Sequence, residues 1–478
     1  MKKLLGLFAF SLALAPALRA ELKLPAIIGD RMVLQQKQAN AIWGWDTPGM
    51  KITVAFAGQN YSAAAGNDGR WLVKLAPLPA NAAPQTLTII GSAKRELSDV
   101  LIGEVWLCSG QSNMELPLAA TRDGARVVAR SANPEIRLFL VRRSLSATPQ
   151  EDVKANWAAC GPESAGRFSA AAYYFGRALQ EKLKVPVGLI DSSVGGAAIQ
   201  QWTGDGASQA LYRDGKYAVG KDHLKLGGGM SHLYNGMIAP LSPFSIRGVI
   251  WYQGESNSGD VAVYDEMMRV LIAGWRKAWG GQPFPFYFTQ LAPRDYKGVG
   301  SGRPLMTEAM TKALDIPNSG MAFTCDYGRK DNTHPLDKQP VGDRLARLAL
   351  HDTYGLTEVV CWGPMYRACH IAGARVKVQF AHAEGGLKSS NGKPLTFFEV
   401  AGADNVYHKA HAEIVGPDSV MVWSEAVAEP KQVRFAWHDV AMSNLANGAG
   451  LPALCFRTDP KCPPPLKYDW PADMGGLD

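Results

Sequence analysis

A serine and a histidine far apart in the chain carry the chemistry that this sequence could do. Ser112 lies in Cys108-Ser-Gly-Gln-Ser-Asn-Met-Glu115, directly behind the apolar run Val105-Trp-Leu-Cys108. The run reads as a buried strand and the small polar residues after it as a turn. A hydroxyl lifted off a strand end, where a helix opens, meets free N–H groups that favour negative charge. Nucleophilic catalysis needs that setting, because the tetrahedral intermediate carries an oxyanion. It also needs a base. Of the nine histidines, His334 alone sits in the pattern Asp331-Asn-Thr-His334-Pro335. A carboxylate in the same loop can accept from one ring nitrogen and leave the other free to take the serine proton. Ser112, His334 and Asp331 are therefore the expected catalytic set.

Two further loops are too polar for plain turns. Asp191-Ser-Ser-Val-Gly-Gly-Ala197 follows the apolar run Val187–Ile190, and Gln253-Gly-Glu-Ser-Asn257 follows Val249-Ile-Trp-Tyr252. A glycine pair lets the backbone approach a substrate and present N–H groups, and a glutamine or asparagine can donate to the same oxygen. Gln111, Asn113, Glu255 and Asn257 are candidate substrate contacts. Glu115 and Glu255 read either as paired acids or as partners for loop N–H groups. Trp202 offers a ring on which a sugar could stack, as do Trp106, Trp251 and Tyr252; the competing reading of all four is core.

These loops need a scaffold that brings strand ends together. Strand-like runs at Val105–Cys108, Val187–Ile190, Gly248–Tyr252, Phe286–Gln290 and Met321–Cys325 are interleaved with helical patterns at Ala170–Leu183, Val261–Trp279, Leu305–Leu314 and Val341–Tyr354. Such alternation predicts an α/β fold with a mostly parallel sheet covered on both faces, and ligands at the carboxyl ends of its strands. Residues 22–100 instead alternate as short strands, with a hairpin turn at Ala57-Gly-Gln-Asn60, and suggest a small β-sandwich. Strand periodicity returns at Ala374–Phe380 and Ser419–Trp423. The expected division is a leader at 1–20, an N-terminal β domain at 21–100, a catalytic domain at 101–355 and a C-terminal β region at 356–478.

The leader is read from Lys2 and Lys3, the apolar stretch Leu4–Leu14 and Pro16-Ala-Leu-Arg-Ala20, the pattern of a secretory signal. Its apolar run is too short to span a bilayer, so an exported protein in the bacterial periplasm, with no membrane span, is expected. Fifty basic against 43 acidic residues leave a formal charge of +7, and removing Lys2, Lys3 and Arg19 with the leader leaves +4. That is weak for a nucleic-acid binder, and no basic block is present. Seven cysteines in an exported chain permit disulfides, with Cys361/Cys369 and Cys455/Cys462 the expected bridges. Cys108 and Cys325 read as buried thiols. No ligand spacing suggests a metal, and no cofactor is implied.

Gly110-Gln-Ser-Asn-Met-Glu115, Ser193-Val-Gly-Gly196, Trp251-Tyr-Gln-Gly-Glu-Ser-Asn257 and His334-Pro-Leu-Asp-Lys-Gln-Pro-Val-Gly342, in this order, resemble the sialate O-acetylesterase family within the SGNH-type hydrolases. Leu24-Pro-Ala-Ile-Ile-Gly-Asp-Arg-Met-Val-Leu-Gln35 resembles that family's N-terminal β domain. The resemblance implies a three-layer α/β/α catalytic domain with β-sandwich-type domains beside it. It implies an esterase that removes O-acetyl groups from sugars, with Ser112 as nucleophile and His334 as base. The oxyanion donors it implies are the Ser112 N–H, a glycine N–H of Gly195 or Gly196, and the Gln253 side chain. An acetylxylan-type esterase and a non-catalytic carbohydrate-binding protein are the alternatives.

Overall fold

The computed structural model describes residues 21–204, 229–294, 300–329, 331–461 and 466. The expected leader and Cys462 lie outside them. The N-terminal strands are β1 (Val33–Gln35), β2 (Asn40–Trp45), β3 (Lys51–Phe56), β4 (Gln59–Ala64), β5 (Arg70–Leu75) and β6 (Asn81–Ile90). In β5 the buried Trp71, Val73 and Leu75 alternate with exposed neighbours, the period of a sheet with one wet face. β3 and β4 form the expected hairpin on a turn shorter than anticipated. Ala57 and Gly58, at φ +48° and +75°, supply the two left-handed residues of a tight hairpin turn.

The next strand, β7 (Lys94–Gly110), is 17 residues long and crosses residue 100 without a break. Its first half pairs with β6 antiparallel, and β1 joins it in parallel at Leu101–Gly103. Its second half lies inside a mostly parallel sheet with β8 (Asn133–Leu140), β9 (Trp157–Cys160), β10 (Val187–Ser193), β11 (Gly248–Tyr252), β12 (Phe286–Thr289) and β13 (Ser319–Ala322). The order is β13-β12-β11-β7-β10-β8-β9, and within it β8–β9 is the antiparallel pair. The last strand ends at Ala322 rather than at Cys325. β8 was not among the expected runs.

Helices cover both faces of this sheet. Trp251 pairs in register with Ser109, three residues on from Trp106, so the two tryptophans point to opposite sides. Trp106 meets Phe175 of the helix Ala170–Leu183 edge to face at 5.0 Å. On the other side Trp251 meets Trp275 of the helix Tyr264–Ala278 at 5.9 Å and Trp202 at 6.1 Å. Each such ring pair contributes about 0.5–1.5 kcal/mol beyond the area it buries. All four aromatics considered for sugar stacking, Trp106, Trp202, Trp251 and Tyr252, are fully enclosed. They are core, and Trp202 as a substrate contact is corrected accordingly.

Beyond residue 360 two antiparallel sheets share a second core. Val376, Val378, Val420 and Val422 come from one, Phe398, Val400, Val433 and Phe435 from the other. Cys361 and Cys369 are both free thiols, so the first expected bridge is not formed. Cys361 is buried in the first core while Cys369 packs against the second. Cys455 is also a free thiol. No helix among the described residues is long and apolar enough to cross a membrane.

Candidate active site

Three strands deliver the site. At the end of β7 the Gly110 carbonyl accepts from Val194 N–H at 3.1 Å, and the Gln111 N–H donates to the Tyr252 carbonyl at 2.9 Å. The carboxyl ends of β10, β7 and β11 are thereby tied side by side. Gly110 has φ +140°, and a Cβ there would stand 2.2 Å from the Tyr252 oxygen. Gly110→Ala is therefore expected to destabilise the protein by about 1–3 kcal/mol, through overpacking alone. Urea unfolding checks it; wild-type stability would refute this account of the crossing.

Ser112 is the first residue of a short helix, Ser112–Glu115. Its Oγ lies 2.7 Å from His334 Nε2. On the far side of the ring, Nδ1 meets the Asn332 side-chain oxygen at 2.8 Å, and the same oxygen accepts the His334 backbone N–H at 3.0 Å. An amide oxygen only accepts, so Nδ1 carries the ring proton and Nε2 is left as the acceptor facing the serine hydroxyl. Burial, and after it the positive charges of Lys338, Arg294 and Arg329, hold the imidazole below its ordinary pKa. A neutral base against a hydroxyl is an arrangement that can generate an alkoxide as it attacks a carbonyl.

Asp331 does not join this pair. Its carboxylate is 77% exposed and pairs with Arg329 at 3.3 Å. The Asx turn that closes on the His334 N–H brings the residue two positions back, Asn332, to the ring, and turns the residue three back outward. The ring's partner thus lies in the same four-residue window, one position on from Asp331.

The expected oxyanion donors divide. Ser112 N–H opens the helix and has no acceptor among the described residues. Gly195 N–H donates to Glu115 Oε2 at 2.5 Å, so a carboxylate oxygen occupies the position facing that donor. Gly196 is exposed, with φ +74°. Gln253 is corrected: it is fully enclosed, and its amide nitrogen donates to the Ala197 carbonyl at 3.1 Å and to Asn257 Oδ1 at 2.6 Å. Both of its N–H groups are consumed within the scaffold.

The remaining substrate contacts are corrected on the same ground. Gln111 is buried, its side-chain oxygen accepting from Ser256 N–H at 3.2 Å. Asn257 bonds Ile199 N–H, Gln200 and Asp260. Asn113 and Glu255 bond each other, and Asn113 also reaches the Thr333 carbonyl at 2.8 Å. Side chains chosen for polarity beside the serine turn out to tie its loops together.

What does line the cleft is a different set. A cavity of about 510 Å³ is bounded by Ser112, Glu115, His334, Asp191, Ser193 and three arginines, Arg142, Arg143 and Arg167. Burial pushes the Asp191 carboxyl up to about 7. Arg142 and Arg167 are exposed and form no ion pair among the described residues. Arg142 and Arg143 follow the carboxyl end of β8, and a strand reading of Asn133–Leu140 would have found them.

The sequence matches the family model of carbohydrate esterases described as sialic acid-specific acetylesterase over residues 102–351. That is the part holding the Ser112 and His334 loops. The chain belongs to the sialic acid-specific acetylesterase family. It is 32% identical to the sialate O-acetylesterase of Homo sapiens over 378 residues, which cover 71% of this chain and 72% of that one. The Mus musculus sialate O-acetylesterase is 31% identical over 406 residues, covering 71% and 74%. A crystal structure of a carbohydrate acetylesterase from Xanthomonas citri superposes with a TM-score of 0.85 at 36% identity, spanning 92% of this chain and all of that one. This acetylesterase-family protein is thus a carboxylic ester hydrolase of the carbohydrate esterase kind, built on a mixed α/β fold with a central, mostly parallel sheet.

Proposed function

We propose that the protein removes O-acetyl groups from sugars, with Ser112 as nucleophile, His334 as general base and acid, and sialate as the preferred sugar. The 2.7 Å contact between Ser112 Oγ and His334 Nε2 at the mouth of the cleft carries this reading. His334 takes the hydroxyl proton as Oγ bonds to the acetyl carbon. The carbonyl π electrons move onto oxygen, and their return expels the sugar oxygen, which receives the proton from His334. Water, deprotonated by the same ring, then attacks the acetyl-serine, and the ring returns that proton to the departing Ser112 Oγ as acetate is released. Asn332 keeps the ring in the required tautomer. Ser112 N–H and Gly195 N–H receive the oxyanion, which replaces the Glu115 carboxylate oxygen at the second donor.

The sugar is read from the arginines. Sialic acid carries a carboxylate, and a planar guanidinium fork matches that group. Arg142→Ala with Arg167→Ala is expected to lower kcat/KM on O-acetylated sialic acid by about tenfold to a hundredfold while leaving turnover of a nitrophenyl acetate unchanged. A wild-type enzyme that prefers acetylated xylo-oligosaccharides, indifferent to the arginines, would replace sialate with a neutral polysaccharide as substrate.

The rest of the organisation is part of the same proposal. The sheet with helices on opposite faces supports a three-layer SGNH-type catalytic unit. The paired antiparallel sheets beyond residue 360 support a β-sandwich beside it, and the strands before residue 100 a smaller β domain. Export to the periplasm rests on the signal-like pattern of residues 1–20.

A further inference from the structure

The serine and the histidine come from segments that share no strand, so something must hold them at bonding distance. Each residue has a covalent neighbour that reaches across. Asn113 follows Ser112, and its amide nitrogen donates to the carbonyl of Thr333, which precedes His334. The same nitrogen donates to Glu255, in the turn that follows β11, and its oxygen accepts from Lys338 Nζ at 2.6 Å. Every polar atom of the Asn113 side chain is thus committed to keeping the two loops in register. The ammonium that completes this joint belongs to a fully enclosed side chain. It also donates to the Pro335 carbonyl at 2.8 Å, just beyond the histidine, and lies 5.5 Å from the centre of the Tyr252 ring.

We propose that Lys338 is a positioning residue for the reaction, locking the serine helix to the histidine loop through Asn113 and Pro335. This rests on the reading of Ser112 and His334 as the reacting pair. Lys338 immediately precedes the helix Gln339–Leu348, whose Gly342 N–H bonds its carbonyl at 3.1 Å. That helix packs on Ala170–Leu183 so closely that a Cβ on Gly342 would stand 2.5 Å from the Tyr174 side chain. Through Lys338 the serine helix and the histidine loop are referred to the packed body of the fold, as precise catalytic geometry requires.

Its charge has a second effect. His334 faces the cations Lys338, Arg294 and Arg329, while Lys338 faces Glu255 and Asp337, and Glu255 faces Arg303 as well. Burial lowers the Lys338 ammonium to about 7, Glu255 and Asp337 acting in the opposite direction. Where it is charged, it disfavours the imidazolium and keeps the base free to lower pH.

Three variants test the proposal: Lys338→Met, Lys338→Gln and Asn113→Ala, read by kcat and KM on a nitrophenyl acetate, by the acidic limb of kcat/KM and by thermal unfolding. Misplacement of reacting groups by about an ångström costs on the order of a hundredfold. Lys338→Met is expected to lose about tenfold to a hundredfold in kcat with little change in KM, and to shift the acidic limb to higher pH. Lys338→Gln keeps a donor for Asn113 and loses the cation, so kcat should recover in part while the limb stays shifted. Asn113→Ala should lose kcat with the limb close to wild type. Folded Lys338 variants with wild-type kcat and an unmoved limb overturn the proposal. So does failure of all three variants to fold, since Lys338 would then hold the fold and not the pair. Ser112→Ala, measured alongside, distinguishes failure of the serine–histidine reading, in which case it stays active, from failure of this one.

Discussion

Ser112→Ala is expected to lower kcat on a nitrophenyl acetate by about a million-fold, and His334→Ala by a similar factor, with thermal unfolding close to wild type. Removal of either member of a cooperating pair costs about as much as removal of both, because neither works alone. The remaining acceleration over water would come from the Ser112 and Gly195 donors and from substrate binding. Full activity in either variant would end the esterase mechanism proposed for this cleft. The pH dependence follows from the same ring. The proposed mechanism requires neutral His334, so activity is expected to disappear as pH falls through its pKa. Burial and three neighbouring cations lower that pKa. The acidic limb of kcat/KM should therefore lie below the ordinary histidine value of about 6.5. A limb above that value would contradict the environment seen here.

The largest expected effect on stability lies in the second core. Glu399 and Arg434 face each other across paired strands and form an ion pair, with side chains 2% and 0% exposed. The guanidinium also stacks 3.8 Å from the centre of the Tyr407 ring. Desolvating two charges is costly, and removing one partner leaves the other buried without its counter-ion. Glu399→Leu is therefore expected to cost about 3–5 kcal/mol in urea unfolding, whereas Glu399→Leu with Arg434→Met should recover most of it. A single variant as stable as the parent would show that the pair is solvated in solution. Neither residue lines the cleft, so turnover per folded molecule should not change.

How far the sequence could be read depended on what kind of signal each feature leaves. Long periodic stretches were legible: the helix expected at Ala170–Leu183 has those bounds, and the strand at Gly248–Tyr252 likewise. β8 was missed because Pro134, Glu135 and Arg137 break up its apolar pattern, though Arg137 is buried against Asp99 in a pair at 2.7 Å. With β8 went the arginines beyond its end. The serine and histidine loops were legible because a hydroxyl just behind a buried strand and an imidazole in a short polar loop are chemically distinctive. Their neighbours were not, since an amide side chain in a polar loop has the same appearance whether it will face substrate or tie two loops together. Gln253 and Asn257 look suited to an oxyanion until burial shows every donor already engaged. Residue type tells what a group can bond; only the fold tells which partner has first claim.

The single strand β7 gives the enzyme an unusual dependence. Its front end is sewn into the N-terminal sheet and its last residue is the glycine two places before Ser112. Trimming the leading β segment as though it were a detachable accessory is expected to fray the rod on which the Ser112 hydroxyl is mounted. On the proposed mechanism, sequence drift in that outlying sheet is answerable to turnover, although none of its side chains borders the cleft.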